Sequence, residues 1–181
     1  MKAEAVRSGR PSAAFDALFE AHWPRVYGVL LRLVGDPAEA EDLAIEVFWQ
    51  LYRQPRPIGE ERRLAGWLVR VATNLGLNEL RGRRRRAHYE REAAVRSPEV
   101  LPGVAPNPAV EAERQLEQAA VRRVLARMKP RSAQLLVLRH SGLSYAEVAG
   151  ALQLAPSSIG TLLARAEQEF ESLYRAQEGV G

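Results

Sequence analysis

Apolar positions in the first third of the chain recur with helical spacing. Leu18, Val26, Leu30, Leu33 and Val34 fall on one side of a helix, with Pro24 placed as a first-turn residue, where its missing N–H costs nothing. Asp36-Pro37-Ala38-Glu39 predicts the next start: a carboxylate N-cap, proline at the first helical position and glutamate three residues after the cap. This second helix should run to about Arg53, where Pro55 and Pro57 end it. Leu43, Val47 and Leu51, with Phe48 beside them, occupy one side, while Glu39, Asp42, Glu46 and Gln50 project from another. A third helix begins near Glu61, carries Leu64, Trp67, Leu68, Val71, Leu75 and Leu80, and continues into a run of arginines.

The pattern then breaks. Residues 97–108 read SPEVLPGVAPNP, with four prolines and a glycine, no helical period and too little apolar bulk to bury. This is a linker, and it divides the chain into residues 1–92, a connection at 93–108 and residues 109–181. Both outer parts are small for an independent core. Helices are expected at 109–128 and 131–140, with Pro130 between them. Ser144-Tyr145-Ala146-Glu147 reads as a capping box that opens a helix from Tyr145 to about Leu152. After Leu154-Ala155-Pro156 a further helix places Ile159, Leu163, Ala166, Phe170 and Leu173 on one face. Two helices joined by a brief turn, the second entered through proline and serines, form the helix-turn-helix pattern.

Composition narrows the chemistry. The 181 residues include no cysteine, which excludes disulfides, a cysteine nucleophile, iron-sulfur ligation and thiolate zinc sites. The charged N-terminus and the short apolar runs predict neither a signal peptide nor a membrane insertion, and the chain is read as cytoplasmic. The net charge is +4, and of 26 basic residues only Lys2 and Lys129 are lysines. Arginine suits bidentate contact with phosphate and guanine edges, so nucleic acid leads as partner. No Walker lysine motif or Gly-x-Ser-x-Gly is present, and His22, His88 and His140 are far apart, so no cofactor, metal or small-molecule substrate is expected.

The motifs AEDLAIEVF at 40–48, WLVRVATN at 67–74 ahead of the arginine run, and GLSYAEVAGAL at 142–152 carry a family resemblance by their order and spacing. Residues 15–86 resemble region 2 of bacterial sigma factors and residues 124–174 resemble region 4. With only these two regions and a linker, the chain resembles the extracytoplasmic-function group of the sigma-70 family. The resemblance implies an all-α fold: two small helical domains, a region 2-like bundle at 1–92 and a region 4-like helix-turn-helix at 109–181, joined by the Pro-rich linker. It implies a non-enzymatic subunit that directs RNA polymerase to promoters, binds promoter DNA and helps melt it.

By the resemblance, the AEDL helix docks on the coiled coil of the core RNA polymerase clamp, through Asp42, Leu43, Glu46 and Phe48 here. An acidic face with an apolar edge suits a basic helical partner, and a plain solvated acidic face would give the same pattern. The family pattern usually has glutamine where this chain has Ile45. The helix carrying WLVRVATN is implied to open the minus-ten element and hold non-template bases, through Trp67, Arg70, Asn74, Asn78, Arg81, Arg83, Arg84, Arg85 and Arg86. Aromatics stack on unpaired bases, asparagine reads base edges and arginines hold phosphates. Trp67 shares the apolar stripe of Leu64, Leu68 and Val71, which favours a core position for it. A solvated helix end that complements the helix dipole is the plainer reading of the arginine run, although five arginines within six positions exceed what a cap needs.

The minus-thirty-five element falls to Ser157, Ser158, Thr161 and Arg165. This recognition helix departs from the family, since only Arg165 remains basic between 159 and 167, and Glu167, Glu169 and Glu171 would repel DNA if they faced it. Duplex affinity of this part alone should be low, so binding depends on tethering. Control in this family is often by a sequestering anti-sigma factor, and no residue here identifies one. Two other readings stay open: a stand-alone helix-turn-helix regulator, which has no need of the AEDL face, and a helical enzyme using Asp42 and Glu46 as paired carboxylates.

Overall fold

The computed structural model describes residues 13–53, 61–93 and 108–178. Pro55, Pro57, nearly all of the expected linker and the C-terminal 179–181 lie outside the described residues. Seven helices and no strand occur among those described: α1 (Ala13–Val34), α2 (Pro37–Arg53), α3 (Glu61–Ala93), α4 (Pro108–Arg127), α5 (Pro130–His140), α6 (Tyr145–Leu152) and α7 (Pro156–Glu178).

Local signals in the sequence set most of these boundaries. The Asp36 carboxylate accepts the Glu39 backbone N–H at 2.9 Å, the expected cap of α2. Ser144 and Glu147 form the full reciprocal capping box at α6. Gly35, at φ +78°, ends α1 in a left-handed turn, its N–H returning 2.9 Å to the Leu31 carbonyl. Pro24 is a correction: it lies inside α1 rather than in a first turn. The helix survives the missing hydrogen bond to the Glu20 carbonyl because aromatic packing holds both sides of it. Phe19 meets Trp23 at 4.8 Å and Phe48 at 4.7 Å between ring centroids, while Val26, Val29 and Leu30 are buried beyond the proline.

Helix α3 is the axis of the molecule. It packs against α1 and α2 and also against α4, α5 and α6. It comes close to α1 at Gly76, where an added Cβ would lie 2.6 Å from Leu33 Cδ1 and 3.0 Å from Leu33 Cβ. Leu64, Leu68 and Leu77 of α3 join Val47, Phe48 and Leu51 of α2 in the core. In the C-terminal part, Leu138, Leu143, Val148, Ile159, Leu163 and Ala166 pack α5, α6 and α7 together. The two parts meet along α3, so each small core gains cover from the other.

Candidate polymerase and nucleic-acid interfaces

Helix α2 buries Ala40, Ala44, Val47, Phe48 and Leu51 and turns Glu41, Asp42, Ile45, Glu46 and Trp49 outward. Asp42 and Glu46 are exposed one turn apart, and Glu46 accepts from the Gln50 amide at 3.0 Å. Leu43 is half-buried at the edge. Phe48 is not on this face: it is 2% exposed, packed between Phe19 and Trp23, and supports the helix from beneath. The apolar component comes instead from Ile45 and Trp49, each 52% exposed, with Trp49 stacked on Tyr52 at 5.6 Å. The sequence reading missed Trp49, although its spacing of three and four residues from Glu46 and Ile45 was the available signal. Large apolar side chains are assigned to the core by default, and two on one acidic face are unusual.

Trp67, Arg70, Asn74, Asn78, Arg81 and Arg85 advance by three or four residues and form one stripe along α3. Trp67 is half-buried against the core. Arg70 donates to the Ala151 carbonyl at 2.9 Å, and Asn74 accepts from the Gln134 amide at 2.7 Å. Asn78 and Arg85 are exposed further along the stripe. Burial, and then the neighbouring Arg85, lower the Arg81 pKa below the ordinary guanidinium value.

The remaining arginines lie beside the stripe. Arg83 is half-buried, ion-paired with Glu39 and Glu79, and donates to the Val34 carbonyl at 2.8 Å. Glu39 thus serves Arg83 instead of closing the α2 cap. Arg84 reaches the Ala126 carbonyl at 3.4 Å, and Arg86 pairs with Glu79 at 2.5 Å. The run therefore knits helices together as well as presenting charge.

The Arg122 guanidinium of α4 arrives at the same place. It lies over Gly35, so that an added Cβ there would sit 2.8 Å from its Cζ. Burial first, then Arg83 and Arg123, push the Arg122 pKa below its ordinary value.

In α7, Ile159, Leu163 and Ala166 are buried, while Ser157, Thr161, Ala164 and Arg165 are exposed. Ser158 is half-buried, and its hydroxyl donates to the Ala155 carbonyl at 2.7 Å. The expected repulsion from three glutamates is reduced. Glu169 accepts from the Lys129 N–H and the Ser132 hydroxyl, both at 2.7 Å, and so caps α5, while Glu171 pairs with Arg175. Only Glu167 of the three is exposed without such an engagement.

Comparison with known proteins decides the family. The family model described as Sigma-70 region 2 matches residues 18–86, and that described as Sigma-70, region 4 matches residues 118–170. The chain belongs to the extracytoplasmic-function group of the sigma-70 family. The ECF RNA polymerase sigma factor SigE of Mycolicibacterium smegmatis is 29% identical over 87% of this chain, and the chain spans 60% of that relative. SigW of Bacillus subtilis, another ECF RNA polymerase sigma factor, is 25% identical over 90% of this chain and 89% of its own length. The fold is shared with the sigma factor RpoE of Bartonella quintana, solved with the anti-sigma factor NepR. That likeness has a TM-score of 0.55 at 17% identity and covers 91% of this chain and 98% of the other. Among the described residues of this sigma-family chain, no helix is long and apolar enough to cross a membrane.

Proposed function

We infer that this chain is a promoter-specificity subunit of bacterial RNA polymerase, acting in the cytoplasm by binding and without a covalent step of its own. Residues 1–92 form the region 2-like part, which docks on the core enzyme and handles the minus-ten element. Residues 109–181 form the region 4-like part, which reads the minus-thirty-five element, and 93–108 connect them. An anti-sigma factor is the kind of regulator such a chain takes, as RpoE takes NepR.

The observation that carries the reading is the outer face of α2. Its exposed carboxylates Asp42 and Glu46 lie beside exposed Ile45 and Trp49, and the contacts of Glu46 with Gln50 and of Trp49 with Tyr52 stay within α2 and leave the face open to solvent. Charge steers the approach of a basic helical partner, and the apolar pair supplies the desolvated contact. On the DNA side, α3 offers carboxamides and guanidinium groups in one row, suited to an unpaired strand. Preference for that strand over duplex is what drives opening, because a ligand shifts an equilibrium only by its differential affinity. The small exposed side chains of α7 allow close approach to a duplex groove with little phosphate neutralisation, so the second element is held through tethering.

The test is capture of purified core RNA polymerase by the full chain, alongside the Asp42→Lys, Glu46→Lys double variant. Saturable binding that the variant loses supports the assignment. Equal binding by both chains removes α2 as the docking face, and no capture by either leaves a stand-alone DNA-binding regulator.

A further inference from the structure

Beside the α3 contact a cleft opens between the two parts of the chain, with a volume of about 440 Å³. Val29 and Leu33 of α1 form one wall, and Val121 and Leu125 of α4, Leu136 of α5 and Phe170 of α7 form the other. These side chains are buried or half-buried, whereas Arg32 and His140, which also line the cleft, are exposed and so mark its mouth. No carboxylate lines it. The volume lies within the ~300–1,000 Å³ of small-molecule sites, which are commonly built as an apolar body with a few polar groups that orient the ligand.

Arg32 and His140 stand in the last turns of α1 and α5, where a basic residue ordinarily serves the helix end. Here that task is already filled. The Leu31 carbonyl accepts the Gly35 N–H, and the Val34 carbonyl accepts Arg83. The Val137 and Leu138 carbonyls both accept the Ser141 N–H, and the Arg139 carbonyl accepts the Gly142 N–H. The Ser141 hydroxyl, the remaining side-chain polar group of the lining, donates to the Val137 carbonyl at 2.7 Å. Among the described residues no carboxylate pairs with Arg32 or His140, so their N–H groups are the donors the cleft has to offer.

We propose that the cleft binds an amphipathic carboxylate, its hydrocarbon body between α1 and the C-terminal helices and its carboxylate held by Arg32 and His140. Charge selects this occupant. The lining offers donors and no negative charge, so an anion gains what a cation or a neutral chain of the same length does not. Arginine takes a carboxylate through paired N–H groups, and imidazole offers an N–H in either protonation state. Because the ligand touches both parts of the chain, it favours this arrangement of them. The proposal is independent of the docking and DNA assignments above.

The probe is decanoate, below its micelle concentration, titrated into the full-length chain by calorimetry, with decyltrimethylammonium as the cation of equal chain length. One saturable decanoate site is expected, with a Kd on the order of 100 µM for so small a ligand. Saturating decanoate should also raise the melting temperature, since only the folded chain has the cleft. Arg32→Gln should weaken decanoate about 10-fold, the weight of one charge-assisted hydrogen bond in a partly exposed place. Val121→Trp on α4 and Val137→Phe on α5 each place a ring in the cleft and should abolish binding, with thermal unfolding of the unbound variants confirming that they fold. Equal affinity for decyltrimethylammonium overturns the proposal and leaves an apolar cleft suited to a side chain of a partner protein. Decanoate affinity unchanged in Arg32→Gln, or in both ring variants, overturns it as well, and so does the absence of saturable binding.

Discussion

Trp49→Ala tests the docking face where charge alone does not explain it. The side chain is 52% exposed, so roughly half of the ~250 Å² that a tryptophan can bury remains for a partner to cover. At about 25 cal/mol per Å² that area is worth about 3 kcal/mol under complete cover. Partial cover at a helical interface brings the figure to about 2 kcal/mol, about 30-fold in Kd. The loss should persist at high salt, because it is apolar, whereas the loss from reversing Asp42 and Glu46 should be greatest at low salt and appear mainly in the association rate. Equilibrium titration of labelled protein with core RNA polymerase at two salt concentrations separates the two effects. Trp49→Phe is the control, since it retains a ring to stack on Tyr52 and keeps part of the apolar area. Binding by Trp49→Ala within twofold of the parent chain at both salts, with unchanged thermal unfolding, would refute the role of this ring.

Two glycines of α3 should respond oppositely to alanine. Gly66→Ala meets nothing within 4 Å and should stabilise by about 1 kcal/mol through helix propensity, whereas Gly76→Ala drives a Cβ into Leu33 and should cost about 1–3 kcal/mol before that gain. Urea midpoints of the two variants, moving in opposite directions, check the α1 to α3 crossing. Arg122→Gln should stabilise the fold by about 0.5 kcal/mol, because it removes a charge that burial desolvates and that Arg83 and Arg123 repel, read as a rise in the melting temperature that shrinks in part with added salt. The sign follows from a basic group whose folded pKa is lowered: its charged form is disfavoured on folding, and the deficit ends only when pH rises through the folded pKa. Near neutral pH the cost is therefore constant, and substitution exposes it where titration does not.

Helical periodicity and capping chemistry were legible in the sequence because both are local. Asp36 and Ser144 cap as their neighbours require, and Ile159, Leu163 and Ala166 turn inward as their spacing demands. Pro24 misled because the forces that carry α1 through it are contacts with Phe48 of another helix. Phe48 itself was assigned to the docking edge because it adjoins the acidic positions in sequence, yet one residue of helix is a rotation of about 100°. The covering of Arg70 and Asn74 depends on partners 81 and 60 residues away, and no periodicity reports a contact at that range. Glu169 is similar: its charge was visible, but its service to α5, 37 and 40 residues earlier, was not.

The division of labour around α7 bears on how such a chain diversifies. Ile159, Leu163 and Glu169 anchor the helix to the body, while Ser157, Thr161, Ala164 and Arg165 project away from it. Exchanges at those four outward positions cost the fold little, since surface substitutions away from special features shift stability by about 0.5 kcal/mol or less. Where α7 reads duplex DNA as proposed, a gene copy can therefore drift to a new set of target sequences through a handful of neutral steps, with its architecture unchanged throughout.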